Sequence, residues 1–336
     1  MTHEFKKIIQ EYIIAKGEGL TCILATVVAL DGSSYRRPGV RMLIKSNHEM
    51  VGAVSGGCVE KEVLFQAQSV FETKIAKVMT YDGRYRLGCE GILYILLEPF
   101  SPSDDMILEF GKTIAERKSF ELTSAYAQEV GIAEHFGTLI SLPNNRFPLH
   151  NKTQEQPQAL QFTQQMQPCK RLLIIGGEHD AVQLSRFALS LGWEVTVAVT
   201  PKEDKLKEDF PGIDLLLNYE PENLPVQDID SDTAIVLMTH SYAKDLKYLL
   251  ALQHSKPMYL GLLGPSKRRE KLLDALLEQN LDIPFEFVEG IHGPAGLNIG
   301  AETPQEIAIS ILSEILTVIR KTNPIMLKDK EKSIHH

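Results

Sequence analysis

The sequence predicts an α/β protein with two parts, a mixed α/β domain at the N-terminus and a doubly wound parallel sheet at the C-terminus. Three observations lead to this prediction. The chain has 336 residues, which exceeds the usual size of one domain. Its first half contains short strand-like segments separated by turn residues, whereas its second half alternates buried strand segments with helical segments. Strands that alternate with helices are typical of a parallel sheet with helices on both faces.

The N-terminal domain is predicted to open with an amphipathic helix and to continue as short strands. The segment at 21–30 is rich in β-branched residues and indicates a buried strand. Apolar spacing indicates one helix that begins at Cys58 and another from residue 104 to about 118. Asn144 and Asn145 are typical of a hairpin turn. The apolar residues that share one face of the opening helix are Phe5, Ile8, Ile9, Tyr12 and Ile13.

The C-terminal domain is predicted to be Rossmann-like. Residues 170–200 have the pattern of a strand, a glycine turn, a helix and a second strand. The alternation of strand and helix repeats over residues 233–254 and 257–279. The predicted divisions are a cysteine-motif domain at 1–167, the Rossmann-like domain at 168–325 and a charged tail at 326–336.

Composition and charge are typical of a globular protein and argue against several classes. Apolar residues make up 43% of the chain and charged residues 24%. A net charge of -9 disfavours a broad nucleic-acid surface. No apolar run has the length of a membrane span, and the N-terminus lacks the apolar core of a signal peptide. The four cysteines form no C-x-x-C pair, so we expect reduced thiols and a cytoplasmic protein.

Cys58 stands on a glycine-rich turn that suits an anionic ligand. It follows Ser55, Gly56 and Gly57 and opens a predicted helix. Glycines allow backbone N–H groups to converge on an anion, and the positive end of a helix dipole stabilises both a bound anion and a thiolate. Cys58 is therefore a candidate nucleophile or soft ligand. The alternative is a small buried residue in a tight turn.

Cys89 lies on a similar turn, directly after Gly88. The neighbouring carboxylate of Glu90 would oppose a thiolate there, which makes Cys58 the better nucleophile candidate. Burial in a tight turn is again the alternative. Cys22, inside an apolar strand, and Cys169, before a strand, are predicted to be structural.

Basic residues near these turns are candidate phosphate ligands. Arg36, Arg37 and Arg41 follow one another closely, and a guanidinium group can bind phosphate oxygens in pairs. Alternatively, these arginines lie on a solvated loop and bind no ligand. Ser266, at the start of a basic helix, is a second candidate anion site, although a charged first turn of that helix would have the same sequence.

The glycine turn after the first C-terminal strand matches the dinucleotide fingerprint only in part. Gly176 and Ala181 take the first and third places, but Glu178 takes the middle place, where glycine normally lets the backbone approach a pyrophosphate. The next strand ends in Thr200 instead of an acidic residue that would bind a ribose, and Glu203 is only a weak substitute. We therefore do not expect NAD(P) binding.

Several polar side chains are expected beyond the carboxyl ends of neighbouring strands, the usual functional edge of such a sheet. They include His179 and His240, which we count with Gly176 and Gly177 as candidate cofactor-binding residues. Together with Glu178 and Asp180 the two histidines have the chemistry of metal ligands. Hydrogen-bonded loop histidines are more common, and no metal site is predicted.

The motifs resemble those of the XdhC/CoxI family, whose members are accessory proteins for the maturation of xanthine and carbon-monoxide dehydrogenases. The resemblance runs over nearly the whole chain and rests on several separate blocks. One departure is the turn Gly176-Gly177-Glu178-His179-Asp180-Ala181, which usually reads Gly-Ala-Gly-His-Val-Ala in the family. The main blocks are "GSSYRRPGVRM" at 32–42, "GAVSGGCVE" at 52–60, "LGCEG" at 87–91, "YLGLLGPSKRR" at 259–269 and "IHGPAGLNIGAETPQEIAISILSEI" at 291–315.

The resemblance implies a chaperone-like role in place of catalysis by the chain itself. It implies transient binding of the molybdenum cofactor, an apo molybdenum hydroxylase as recipient, a cysteine desulfurase as sulfur source, and a homodimer. Two other functions stay open on the sequence. One is an NAD(P)-dependent oxidoreductase, which the Rossmann-like half suggests. The other is a structural module that bridges hydroxylase and desulfurase without binding the cofactor.

Overall fold

The computed structural model describes residues 1–32, 37–83, 91–150 and 159–330. The chain forms two compact units, Met1–Pro168 and Cys169–His336. Within the described residues, no helix has both the length and the apolar character that a membrane crossing requires.

In its described residues, the first unit has two antiparallel sheets and three helices. The larger sheet has six strands in the order β3-β2-β1-β5-β4-β7, and the smaller has four in the order β10-β6-β8-β9. The helices are α1 (Thr2–Gly17), α2 (Cys58–Thr73) and α3 (Asp104–Ala115). The strands are β1 (Cys22–Gly32), β2 (Arg41–Lys45), β3 (Met50–Gly52), β4 (Lys77–Asp82), β5 (Gly91–Phe100), β6 (Phe120–Tyr126), β7 (Gly131–Ile132), β8 (Gly137–Ser141), β9 (Arg146–Pro148) and β10 (Leu160–Met166).

Helices or strands cover both faces of the six-stranded sheet. Val59 and Val63 of α2 pack with Ile44 on one face. Phe5 of α1 packs with Leu43 on the other face, in a cluster that also contains residues of β6 and β8. Central strands of the sheet are therefore buried on both sides, including their polar residues.

The predicted helices at residues 58 and 104 are confirmed, but the second ends earlier than expected. Helix α3 stops at Ala115, because Glu116 is its C-cap and Arg117 has a left-handed backbone with φ of 52°. The helix begins with a side-chain cap, in which Ser103 accepts a hydrogen bond from the backbone N–H of Met106. The predicted turn at Asn144-Asn145 lies between β8 and β9, as expected.

The second unit is a parallel sheet with helices on both faces, so the predicted fold class is confirmed. Its strand order, β13-β12-β11-β14-β15-β16, is that of a Rossmann fold. Leu172 packs toward α4 and α8, whereas Leu173 packs toward α5 and α6. The strands are β11 (Arg171–Ile175), β12 (Glu194–Val199), β13 (Leu215–Asn218), β14 (Thr233–Leu237), β15 (Tyr259–Leu262) and β16 (Ile291–His292), and the helices are α4 (His179–Ser190), α5 (Tyr242–Leu252), α6 (Ser266–Gln279), α7 (Phe285–Glu289) and α8 (Pro304–Arg320).

Glu98 is a buried carboxyl group that links the two sheets of the first unit. It lies in β5 and accepts hydrogen bonds from Thr138 of β8, at 2.7 Å from the backbone N and 2.5 Å from the hydroxyl. Ser124 of β6 extends this network, since its hydroxyl lies 2.8 Å from that of Thr138. Burial raises the pKa of Glu98 to about 7, although the Thr138 bonds and the charge of Arg41 act in the opposite direction.

We predict that Glu98 makes the unfolding free energy depend on pH. A carboxyl group whose pKa is higher in the folded state than in the unfolded chain binds more protons when folded. Its contribution to stability is present below the ordinary pKa of 4.5 and is lost as the pH rises through about 7. The loss is up to about 3 kcal/mol. Urea unfolding at several pH values should show that the unfolding free energy of the wild type falls as the pH rises through about 7. The fall should be smaller in Glu98→Gln.

The matched control for this prediction is Glu72→Gln, because Glu72 is an exposed carboxylate of the same unit. Its pH profile should follow the wild type. Equal pH profiles for the wild type and Glu98→Gln would contradict a proton-linked role for Glu98.

Candidate functional site

The cysteine turn of the first unit is open and leads directly into a helix. Cys58 is exposed, is a free thiol and is the first residue of α2. Gly57 is the N-cap of the helix, with φ of 48°, and in the described structure no side chain caps this end. A Cβ atom at Gly56 or Gly57 would meet no described atom within 4 Å. The two glycines and the thiol therefore border open space, although the backbone N–H of Val59 already donates to the carbonyl of Gly56 at 3.3 Å.

Glu60 fixes the backbone that precedes the two glycines. Its Oε1 atom accepts hydrogen bonds from the backbone N–H groups of Val54 at 3.1 Å and Ser55 at 2.9 Å. The side chain is buried, and its Oε2 atom has no hydrogen-bond partner among the described residues. Glu60 is the third residue of α2, the position from which an acidic side chain can reach back to the chain before a helix. The sequence analysis missed this residue, and its place three residues after the N-cap was the available signal.

The arginines of the first unit have different environments. Arg37 is exposed, whereas Arg41 is 6% exposed inside β2. The guanidinium group of Arg41 donates to the carbonyl of Gly39 at 2.9 Å and to the side chain of Gln164. Burial lowers the pKa of Arg41 to about 10. The expectation that Arg41 binds a phosphate is therefore wrong, because its strand is covered on both faces.

Three of the predicted site residues lie outside the described residues. They are Arg36, Gly88 and Cys89. The predicted site residues of this unit whose positions the structure gives are Ser55, Gly56, Gly57, Cys58 and Arg37.

The glycine turn of the second unit connects β11 to α4 at the carboxyl edge of the sheet. Gly176 has φ of 130°, and a Cβ atom there would lie 2.5 Å from the carbonyl oxygen of Met238. Only glycine fits where the turn meets the end of β14 so closely. Gly177 is buried beside Val199 and Glu203. Ala181 is fully buried in the core, as expected for the third position of the fingerprint.

Asp180 and His240 are brought together at this edge, as the sequence suggested. Oδ2 of Asp180 and Nε2 of His240 lie 3.1 Å apart. His240 follows β14 with a left-handed backbone, φ 55°, and half of its side chain is exposed. Glu178 and His179 are exposed at the start of α4. Among the described residues, no group of three or more histidine, cysteine, aspartate or glutamate side chains is arranged to hold a metal ion.

Glu203 is already paired where a dinucleotide ribose would need an acidic group. Its Oε1 atom accepts hydrogen bonds from Lys244 Nζ at 2.6 Å and from Thr200 Oγ1 at 2.9 Å. Lys244 also donates to Thr200 Oγ1 at 3.1 Å. This oxygen of Glu203 thus has partners from the residue after β12 and from α5, an arrangement that sequence reasoning missed.

Ser266 begins α6 and is exposed, but the arginines after it are bound within the unit. Arg268 donates to Asp245 at 2.6 Å, and Asp245 also accepts from Thr239 at 2.6 Å. Arg269 donates to the backbone carbonyl of Ile291 at 3.3 Å. Asp245 is 1% exposed and Arg268 is partly exposed, so the pair is a partly buried link between α5 and α6. Lys267 is the exposed basic side chain that this turn offers to an anion.

A cavity of about 480 Å³ lies beyond the carboxyl end of β15. Its walls include Gly264, Gly296 and Asn298. Gly296 has φ of 114°, and a Cβ atom there would lie 2.3 Å from the hydroxyl oxygen of Ser310. The close packing of this glycine loop on α8 shapes one wall of the cavity, at the edge where α/β sheets usually bind ligands.

We predict that Glu60 is required to hold the cysteine turn. Glu60→Ala removes the acceptor for two backbone N–H groups. Hydrogen bonds to a charged group contribute about 1.5 to 3 kcal/mol each. Amide hydrogen exchange of Val54 and Ser55 should therefore become about tenfold to a hundredfold faster. Glu72→Ala, an exposed site near the end of the same helix, is the control and should leave this exchange unchanged. Equal protection in the two variants would refute the role of Glu60.

Two family models match the chain. The XdhC Rossmann domain matches residues 172–315, and the model described as the XdhC and CoxI family matches residues 15–82. The second match contains Gly56, Gly57 and Cys58, and the first contains Gly176, His240 and Ser266.

The similarity to several known proteins covers almost the whole chain. A Bacillus subtilis protein described as a probable xanthine dehydrogenase subunit is 29% identical over 88% of this chain and 92% of its own. The molybdenum cofactor insertion chaperone PaoD of Escherichia coli is 25% identical over 95% of this chain and 90% of its own. A crystal structure described as a xanthine dehydrogenase from Bacillus halodurans superposes with a TM-score of 0.76 and 26% identity, over 96% of this chain and 98% of the other. Because models of this family match two separate parts of the chain, residues 15–82 and 172–315, the chain belongs to the XdhC and CoxI family.

Proposed function

We propose that this protein is a maturation factor that binds the molybdenum cofactor and supports its sulfuration and insertion into a xanthine-dehydrogenase-type molybdenum hydroxylase. The similarity to PaoD over 95% of the chain is the observation that carries the proposal. The similarity to a probable xanthine dehydrogenase subunit suggests the class of recipient enzyme. The protein itself would bind and deliver the cofactor without catalysing the hydroxylase reaction.

The residues of the cysteine turn fit such a cofactor. A molybdopterin cofactor is an anion with a phosphate at one end and a soft metal dithiolene at the other. Gly56 and Gly57 leave space for an anion beside the start of α2, and Arg37 is an exposed guanidinium group. Cys58 adds an exposed thiol, the ligand type that soft metals prefer. We propose Ser55, Gly56, Gly57, Cys58 and Arg37 as cofactor-binding residues.

Each unit also has further proposed cofactor-binding residues. Gly176, Gly177, His179, His240 and Ser266 are proposed for the second unit because they lie at the carboxyl edge of the sheet or begin a helix there. Arg36, Gly88 and Cys89 are proposed on the sequence motifs alone.

A cysteine desulfurase is the proposed sulfur donor, and Cys58 the proposed acceptor. The thiolate of Cys58 would attack the terminal sulfur of the desulfurase persulfide. A new S–S bond would form on Cys58, the S–S bond of the desulfurase would break, and its cysteine would leave as a thiolate. The exposure of Cys58 supports this role, since Cys22 and Cys169 are buried. A homodimer and a cytoplasmic location belong to the same proposal.

We predict that Cys58→Ala lowers cofactor retention and the activation of an apo hydroxylase. Loss of one soft ligand or charge-assisted contact of about 1.5 kcal/mol would reduce each by about tenfold. The measurements are molybdenum content of the purified protein and hydroxylase activity after mixing with the loaded protein. Cys22→Ala is the control, because it removes a buried thiol whose pKa burial raises to about 11. Unchanged retention in both Cys58→Ala and Cys89→Ala would refute the site.

We expect weak or absent NAD(H) binding. Glu178 places a charged side chain where the fingerprint needs glycine, and the Glu203–Lys244 pair lies where an acidic group would bind the ribose. Isothermal titration calorimetry of the wild type with NADH should give no heat at micromolar concentrations. Glu178→Gly should improve affinity, since it removes bulk and negative charge. Micromolar affinity of the wild type would contradict this expectation and support the oxidoreductase alternative.

A further inference from the structure

A second cavity lies at the opposite edge of the Rossmann-like sheet from the glycine turn. It measures about 810 Å³, which is within the usual range of small-molecule sites. Pro257 and Met258, which precede β15, contribute to its lining, as do Pro284 and Phe287, which precede β16. Because all strands of this sheet are parallel, these residues mark the amino edge of the sheet, whereas Gly176 follows the carboxyl end of β11.

One polar side chain of the cavity lining, His292, is held in a defined orientation. Its Nδ1 atom lies 3.1 Å from Oε1 of Glu314 in α8. Its ring stacks on Tyr259 with 4.5 Å between the ring centres and a 30° tilt. The hydroxyl group of Tyr259 donates a hydrogen bond to Oε2 of Glu314 at 2.5 Å. The backbone N–H of Gly296 donates a hydrogen bond to the same oxygen at 2.8 Å. Glu314 therefore accepts three hydrogen bonds.

These contacts determine the hydrogen-bonding character of the free ring nitrogen. Burial alone would raise the pKa of Glu314, but the bonds from His292, Tyr259 and Gly296 hold it below its ordinary value. An ionised carboxylate can only accept hydrogen bonds, so Nδ1 of His292 must carry a proton. In the neutral imidazole, Nε2 is then an acceptor.

We propose that this cavity binds a neutral planar nitrogen heterocycle whose ring N–H donates to Nε2 of His292. The apolar side chains of Met258, Phe287 and the two prolines suit the faces of a flat ring. His292 supplies an oriented acceptor that selects a donor on the ligand edge. This site goes beyond the proposed cofactor function and does not depend on it.

Indole and 1-methylbenzimidazole are the probes, since they are similar bicyclic rings but one has only a donor and the other only an acceptor. Saturation-transfer NMR and titration of the Met258 methyl signal in the full chain should show indole binding about tenfold more tightly, the value of one hydrogen bond to a partly buried site. His292→Phe should remove this preference while retaining a flat ring beside Tyr259.

Glu314→Gln gives the sharper test. Two donors, Tyr259 and Gly296, point at the Oε2 position, so the amide oxygen of the variant should take that place and its NH₂ group should face His292. Nδ1 then becomes an acceptor and Nε2 a donor, and the variant should prefer 1-methylbenzimidazole. Thermal unfolding of each variant checks that it folds. No shift of Met258 with either probe in the wild type, or an indole preference retained in either His292→Phe or Glu314→Gln, would overturn the proposal.

Discussion

The cysteine turn depends on the carboxylate of Glu60. Glycine places few restrictions on its own backbone, so Gly56 and Gly57 cannot by themselves hold a turn in one conformation. Glu60 restricts it from outside by binding the N–H groups of Val54 and Ser55, while Val59 anchors the same helix turn in the core. The start of α2 and the thiol of Cys58 are thereby held in place, and no side chain among residues 1–32, 37–83, 91–150 and 159–330 caps this helix end. A binding site needs such support behind it.

The polar groups at the carboxyl edge of the second unit bind mainly to one another. Asp180 contacts His240, Glu203 contacts Lys244, and Asp245 contacts Arg268. Each pair joins segments that are distant in sequence. Their charges are therefore partly neutralised within the protein, whereas Cys58 of the first unit is an exposed free thiol.

The fold was largely predictable, because it depends on local patterns. Strand, glycine turn and helix alternate in the second half, and the buried Ala181 and the strained Gly176 occupy the positions that the fingerprint predicts. Arg41 was misjudged because its place in the sequence, next to a glycine turn, does not reveal that both faces of its strand are covered. Glu60 and the Glu203–Lys244 pair were missed because their partners are set by tertiary geometry, which residue spacing alone does not determine.

The most direct test of the account is whether the protein carries the molybdenum cofactor. The full-length chain would be purified from one molybdenum-replete host that makes molybdopterin and from a second host that cannot make it. Molybdenum would be measured by mass spectrometry and pterin by the fluorescence of its oxidised form. The account predicts that both elute with the protein from the first host in equal amounts and that neither elutes with it from the second. Molybdenum and pterin that separate from the protein in both preparations would contradict it.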